Sequence, residues 1–179
     1  FLQNIRYLRD TKLKSFFFML LTNSGLGWLC LKFLFLLNSL SHVRFKKGPF
    51  IVVEEIKEFN QDLNFIWENS KQYYSFIAVR NYEYLKILYS DKRFIKLKFF
   101  DDNKVIGWSI SLCTKLNGHK QFGSMKLGSI VDCLSLKGYE TNIISKTSEM
   151  LKKRGVDLII SNQSHLFWKN AFKINSFIN

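Results

Sequence analysis

The feature that most constrains the fold is the order of the elements that the pattern predicts from Phe94 onward. Phe94–Phe100 alternates in the manner of a half-buried strand, Asp101-Asp102-Asn103 makes a turn, and Val105–Cys113 returns as a second strand. This combination predicts a β-hairpin. A strand, a helix, a strand and a helix follow, over Leu127–Leu136, Ile143–Leu151, Val156–Ile160 and His165–Ile174. Such alternation is typical of a mixed α/β domain.

The segment before the hairpin is predicted to contain shorter elements of both kinds. Phe50–Val53 and Phe76–Val79 are apolar runs of strand length. The apolar side chains within Phe59–Tyr73 recur at helical spacing, and Tyr82–Leu88 has a similar character. We therefore expect two strands and two helices here.

Residues 1–47 differ in composition from the rest of the chain, because they are rich in Leu and Phe and have basic residues on both flanks. Within them, Ser15–Leu40 is long and apolar enough to span a membrane. The polar break Asn23-Ser24-Gly25 favours two ordinary helices that pack on a neighbouring domain, with a membrane helix as the alternative. We predict an apolar helical linker over 1–47 and a mixed domain over 48–179. Because the chain begins without Met and stops just after a helical pattern, we expect a fragment that lacks both ends.

The formal net charge of +13 comes from 27 Lys and Arg against 14 Asp and Glu. An excess of this size is compatible with nucleic acid, an anionic membrane or a phosphorylated ligand. The basic residues are scattered, and Lys, Asn, Ile, Phe and Tyr are abundant together, as AT-rich codon usage produces. Nucleic acid is therefore the least favoured partner.

Cysteine and histidine usage argues against metal and disulfide chemistry. Cys30, Cys113 and Cys133 form no CxxC pair, and the three histidines fit no metal spacing. We expect buried thiols in a reducing compartment, no metal cofactor, and a cytoplasmic location, with membrane association as the alternative.

Several short motifs resemble those of a known superfamily. Arg80–Tyr89 (RNYEYLKILY), preceded by Phe59, Asp62 and Trp67, resembles the pattern F-D…L-W…R-D-x-x-Y-L-N-W-R-Y. That pattern occurs in the C-terminal half of double-GNAT acyltransferases found with bacterial surface-polysaccharide genes. Arg80, Tyr84, Leu85 and Tyr89 match it, whereas Asn81, Lys86, Ile87 and Leu88 depart from it. Gly107, the run Ile130-Val131-Asp132 and the end of the last helix at Ala171–Phe177 resemble further GNAT motifs.

The resemblance covers about residues 50–179 and implies the α+β fold of the GNAT-type acyltransferases. That fold has a mixed, mostly antiparallel sheet flanked by helices, here preceded by the apolar helical pair. It implies transfer of an acetyl or other acyl group from acyl-CoA to a small-molecule acceptor, an amine or a sugar-like compound. The expected partner is an upstream half-domain of the same chain, and this half is a candidate for the non-catalytic one.

The resemblance places the pyrophosphate of acyl-CoA at the turn Ser135–Thr141. The cofactor-binding residues that it implies are Leu134, Leu136, Lys137, Gly138, Tyr139 and Thr141. Backbone N–H groups at a helix start can bind such an anion when small residues let it approach. Here Gly138 is the only glycine, Tyr139 is bulky and Glu140 is negative, while Lys137 would help. The alternative is a plain tight turn at Gly138 with Thr141 as the helix cap.

The catalytic candidates are Asp132 and His165. The GNAT position of the tyrosine that protonates the departing thiolate is Phe172, which has no proton to donate. Asp132 precedes the turn, where a carboxylate could deprotonate an amine, although a surface or capping role is the alternative. His165 follows Ser164, which we expect to be the N-cap of the last helix.

Three aromatic residues of the family-like pattern, Trp67, Tyr84 and Tyr89, are predicted to line the substrate cleft. Core packing explains most of the other aromatic residues. The rival hypothesis is a structural or interaction module that retains the fold without the chemistry and is membrane-attached through residues 15–40.

Overall fold

The computed structural model describes residues 50–120 and 123–177. In chain order the elements are β1 (Val52–Ile56), α1 (Leu63–Ser70) with a 3-10 turn (Lys71–Tyr73), α2 (Tyr82–Leu88), β2 (Ile95–Asp101), β3 (Lys104–His119), β4 (Gly123–Ser135), α3 (Glu140–Lys153), β5 (Leu158–Ser161) and α4 (Leu166–Ile174). The five strands form one sheet in the order β1-β2-β3-β4-β5.

The sheet is mixed. The β1–β2 and β2–β3 pairs are antiparallel, whereas β4 and β5 run parallel after the crossover through α3. A parallel neighbour requires such a crossover, because a hairpin can join only antiparallel strands. The predicted α+β fold, a mixed sheet flanked by helices, is confirmed for the described residues.

The predicted hairpin forms at β2 and β3. Its two turn residues, Asp102 and Asn103, have φ values of 45° and 64°. A two-residue loop with positive φ at both positions matches the right-handed twist of the strands, and Asn and Asp tolerate this conformation better than most residues. The local sequence therefore suffices to specify this turn.

Two buried clusters lie on opposite faces of the sheet. The first includes Leu97 and Phe99 of β2 with Ile143 and Leu151 of α3. The second joins Trp108 of β3 to residues of α1 and α2. Because neighbouring side chains of a strand alternate between faces, β4 contributes to both clusters, Cys133 to the first and Leu134 to the second.

α3 lies close to β3 at Gly107. A Cβ atom built there would approach Leu134 O to 2.7 Å and would collide with the Ile143 side chain. On the same face Ser109 Oγ and Thr147 Oγ1, both fully buried, form a hydrogen bond of 2.7 Å between β3 and α3. The glycine of the predicted family-like strand is therefore needed for helix packing.

Three sequence-based boundaries are corrected. The first strand is Val52–Ile56, two residues later than Phe50–Val53 at its start, and the first helix begins at Leu63 instead of Phe59. Phe76–Val79 forms no strand: Phe76 is 95% exposed and Val79 is 39% exposed. An apolar run makes a strand only where a neighbouring strand can pair with it, and here none does.

The distal part of the β3–β4 hairpin, residues 115–126, belongs to a separate compact unit and is described only locally. Within it, the Gly118 N–H donates a hydrogen bond of 3.0 Å to Ser124 Oγ. The predicted helical linker over 1–47, including Ser15–Leu40, lies outside the described residues. Among the helices that are described, none has the length and apolar character needed to cross a membrane.

Candidate functional site

A cavity of about 400 Å³ opens where the parallel pairing of β4 and β5 stops. The two strands pair only as far as Ile130 and Ser161, and β4 then continues alone on that side to Ser135. The lining residues come from the β4 extension, from the segment after β5 with the start of α4, and from the irregular segment before α2. They are Tyr74, Phe76, Ile77, Ala78, Arg80, Val131, Cys133, Asn162, Gln163, Ser164, His165 and Trp168.

Beside this cavity, Asp132 lies at the centre of a buried polar cluster. Asp132 is only 3% exposed. The Nε–H of Arg80 donates to both of its carboxylate oxygens, to Oδ1 at 3.0 Å and to Oδ2 at 2.8 Å. The Tyr89 hydroxyl donates to Oδ2 at 2.9 Å, and the Cys133 N–H donates to Oδ1 at 2.9 Å. Burial, reinforced by the Asp132 charge, raises the pKa of Tyr89. Asp132 is therefore an internal ion-pair partner and is not the surface or capping group of the alternative interpretation.

The geometry bears directly on the predicted base role of Asp132. A general base needs a lone pair that can reach the acceptor proton. Both carboxylate oxygens of Asp132 already accept hydrogen bonds from Arg80, and one also accepts from Tyr89. This arrangement fixes the segment before α2 onto β4. The geometry disfavours Asp132 as a general base, and its catalytic role remains a prediction.

His165 lies on the cavity wall at the start of α4. It occupies the N-cap position itself, so the expected cap Ser164 lies one residue too early. Its ring packs 4.2 Å from the Tyr74 ring and 5.0 Å from the Phe167 ring, measured between centroids. Its Nδ1 is buried and has no hydrogen-bond partner among the described residues. His165 therefore lines the cavity, while Asp132 is not one of the lining residues, and a catalytic role for His165 remains a prediction.

Tyr74 and Trp168 form an aromatic wall of the cavity next to His165. The Trp168 Nε1–H donates a hydrogen bond of 2.9 Å to the Tyr74 hydroxyl. Burial raises the pKa of Tyr74 to about 12. Both aromatic side chains are thus fixed by packing and by one polar contact, which gives the cavity a preformed wall.

The turn after β4 carries the residues that the resemblance assigns to the acyl-CoA pyrophosphate. Gly138 has φ of +97°, a conformation that favours glycine, so the tight-turn interpretation holds at this residue. α3 begins at Glu140 with Tyr139 at the N-cap position, which places Thr141 inside the first turn and corrects its expected capping role. Leu134 is fully buried in the second core cluster and Leu136 is partly buried against both clusters.

Three N–H groups of this turn already donate hydrogen bonds within the protein. The Gly138 N–H donates to Glu140 Oε2 at 2.9 Å. The Leu136 N–H donates to Ile106 O at 2.8 Å, and the Tyr139 N–H donates to Leu136 O at 3.3 Å. A pyrophosphate needs consecutive free N–H groups and no competing anion. The residues present therefore do not fit the diphosphate of acyl-CoA.

The side chains around the turn reinforce this conclusion. The Tyr139 hydroxyl donates to Asp101 Oδ2 at 2.7 Å, and that hydrogen bond raises the pKa of Tyr139. The Lys137 ammonium lies 5.1 Å from the centroid of the Tyr73 ring and 5.9 Å from that of Phe167, positions typical of cation–π contacts. The only cation predicted to assist phosphate binding thus has an aromatic contact of its own.

The predicted substrate-cleft residues are not brought together at the cavity. Trp67 is partly buried against the second core cluster, and Tyr84 is 53% exposed on α2. Only Tyr89 reaches the polar cluster, through Asp132, and none of the three lines the cavity. Phe172, at the position of the family's proton donor, is buried in the first core cluster.

Sequence reasoning missed several residues of the site. Arg80 belongs to the family-like pattern, and this match was the available signal for a structural role. Tyr74, Gln163 and Trp168 carry no local signal, because only the tertiary fold brings them to one cavity. Among the described residues no group of three or more His, Cys, Asp or Glu side chains could hold a metal ion.

Comparison with solved structures finds the same fold in acetyltransferases. The ribosomal-protein-alanine N-acetyltransferase from Brucella melitensis biovar Abortus 2308 aligns with a TM-score of 0.53 and 11% identity, covering 72% of this chain and 93% of that chain. A putative acetyl transferase from Pyrococcus furiosus aligns with a TM-score of 0.50 and 14% identity over the same shares. A transcriptional regulator from Bacillus halodurans C-125 reaches 0.53 at 10% identity.

No protein-family model matches the sequence, and a search of curated proteins found no match. At the identities above, structural similarity shows the fold alone. The described domain therefore has the fold of these acetyltransferases, which agrees with the fold that the resemblance implies. The double-GNAT arrangement and the association with polysaccharide genes remain predictions.

Proposed function

We propose that this domain is the acceptor-binding half of a GNAT-type acyltransferase, in which the cavity between β4 and β5 holds an amine or a sugar-like acceptor. The fold supports an acyltransferase origin. The cavity combines aromatic walls with a few polar side chains, the composition expected of a small-molecule site. The acyl donor, acetyl-CoA or another acyl-CoA, is bound elsewhere in the protein, for which an upstream half-domain is the proposed partner.

The observation that carries this proposal is the hydrogen bond from the Gly138 N–H to Glu140. A carboxylate held on this N–H repels a phosphate and occupies the donor that the phosphate would use. Two further features agree with a non-catalytic half: both oxygens of Asp132 are engaged, and Phe172 is a buried core residue. The cavity supports a ligand-binding role over that of a purely structural module.

Within the cavity, the chain's own residues position a ligand. Tyr74 supplies a flat apolar surface, and the buried Trp168 donates a hydrogen bond to its hydroxyl, whereas Asn162, Gln163 and Ser164 supply hydrogen-bond donors and acceptors. Such a wall fixes the orientation of a small polar molecule. Acyl-CoA, when bound to the other half, supplies the activated thioester carbonyl.

Calorimetric titration with acetyl-CoA tests the proposal on this chain and on a protein that includes the upstream half. We expect binding by the longer protein and none by this chain at millimolar ligand. Absence of binding by both would contradict an acyltransferase function. Binding by this chain that is weakened by Lys137→Ala would instead contradict a closed turn.

A further inference from the structure

The charge around the cavity constrains the class of ligand. None of the twelve described lining residues is Asp or Glu, while Arg80 is one of them. Asp132, the carboxylate next to the lining residue Val131, is already paired with Arg80 and Tyr89. A protonated amine that enters this cavity would exchange part of its hydration for lining side chains that include no carboxylate.

Arg80 can offer a ligand hydrogen-bond donors, but it adds no net charge to the cavity. Its ion pair with Asp132 is neutral as a whole. The Nε–H serves Asp132, and Nη1 donates to Ala78 O at 2.9 Å, so the remaining N–H groups of the five in a guanidinium have no partner among the described residues. Fixed donors of this kind suit an oxygen acceptor such as a hydroxyl or ring oxygen.

The other lining groups have the same preference. The amides of Asn162 and Gln163 and the hydroxyl of Ser164 can exchange hydrogen bonds with hydroxyl groups, which both donate and accept. Phe76, 95% exposed, and Tyr74 offer ring faces against which an apolar C–H surface can pack. Alternating hydroxyl edges and C–H faces are the chemistry of a sugar ring.

We propose that the ligand of this cavity is an uncharged, hydroxyl-rich, sugar-like molecule and is not a protonated amine. This inference rests on the proposed function, because it selects between the two acceptor classes allowed there. It narrows the acceptor of the transfer reaction to a hydroxylated compound.

Three closely matched ligands test the inference on the full chain: methyl glucoside, methyl 2-amino-2-deoxyglucoside and the N-acetyl form of the latter. Binding is followed by NMR through the Trp168 indole N–H signal. We expect similar dissociation constants for the two uncharged ligands and one about tenfold weaker for the ammonium form, a difference expected for a single unfavourable charge contact. Equal or tighter binding of the ammonium form would overturn the inference and leave the proposed function intact.

A charge variant separates a local effect from a long-range one. Asn162→Asp places a carboxylate on the cavity wall and should remove or reverse the discrimination against the ammonium form. Asn170→Asp, on an exposed position of α4 outside the cavity, makes the same change in charge and should leave the discrimination unchanged. Identical behaviour of the two variants would overturn the inference. If none of the three ligands binds, the proposed acceptor site fails and the inference fails with it.

Discussion

Replacing Asp132 by Ala should destabilise the protein strongly, because the structure makes this residue the only acidic partner of Arg80 among the described contacts. The residue is 3% exposed, and the Arg80 side chain is 21% exposed. Removing one member of a buried ion pair costs about 3 to 5 kcal/mol, since the other charge is left without a partner. Arg80 retains some contact with water, so we expect a loss of about 3 kcal/mol in the free energy of unfolding.

A milder substitution of Asp132 separates the contribution of its charge from that of its hydrogen bonds. Asp132→Asn keeps the volume and one acceptor oxygen but loses the charge, and should cost about 2 kcal/mol, the range of a hydrogen bond to a charged group. Combining it with Tyr89→Phe, which deletes the hydroxyl bound to Oδ2, should give a coupling energy of about 1 kcal/mol, because the two residues are in contact.

Urea denaturation of these variants measures the free energies, with the slope m as a check on the unfolded state. Asp102→Asn is the matched control, because it lies in the exposed hairpin turn and should change stability by less than about 0.5 kcal/mol. A loss below about 1 kcal/mol for Asp132→Ala would refute the structural role that we assign to the ion pair.

Three further changes test local features of the structure. Gly107→Ala should destabilise the protein by about 2 kcal/mol through the clash with Leu134 O and Ile143, measured by urea denaturation; a neutral effect would contradict the close packing of α3 on β3. Asn81→Ala removes the side-chain acceptor of the Tyr84 N–H at the start of α2 and should lower the free energy of unfolding by about 1 kcal/mol. The control Asn81→Ser keeps a capping hydroxyl and should retain most of the stability; an equal loss in both variants would contradict the capping role. The hydrogen bond from Arg93 lowers the pKa of Asp91 to about 2, so the associated stabilisation is present at neutral pH and is lost on acidification toward pH 2. An NMR titration of the Asp91 carboxyl should give this midpoint, and a midpoint unchanged in Arg93→Gln would disprove the cause.

The parts of the fold that local sequence determines were predicted correctly. The β2–β3 hairpin follows from strand alternation and from Asp102-Asn103, because both signals act over a few residues. Gly155, with φ of +72°, directly follows the C-cap residue of α3, the position where glycine commonly ends a helix. The order of strands and helices then indicated the GNAT fold.

The errors concern features that depend on tertiary contacts or on shifts of one or two residues at a helix start. Phe76–Val79 has the composition of a strand, yet it lies at the cavity wall without a pairing strand. Ser164 and Thr141 are favourable capping residues, but the helices begin so that His165 and Tyr139 occupy the N-cap positions. Capping preference alone cannot fix a helix boundary when packing decides where the helix starts.

The site was predictable only in part. The unfavourable charge of Glu140 was visible in the sequence, because a carboxylate beside a phosphate turn is repulsive wherever it points. Its hydrogen bond to the Gly138 N–H required coordinates. The Arg80–Asp132 pair joins residues 52 positions apart, and no local pattern reveals which acidic residue Arg80 contacts.

The most direct test of the account is the backbone amide signal of Gly138 during an NMR titration with acetyl-CoA. With Glu140 bound to this N–H, the signal should not move as ligand is added to millimolar concentration. A matched pair of variants, Glu140→Gln and Glu149→Gln, makes the same change in charge within α3, and only the former should alter this signal in the absence of ligand. A saturable shift of the Gly138 amide in the unaltered protein would contradict the central claim that this turn is closed to the acyl donor.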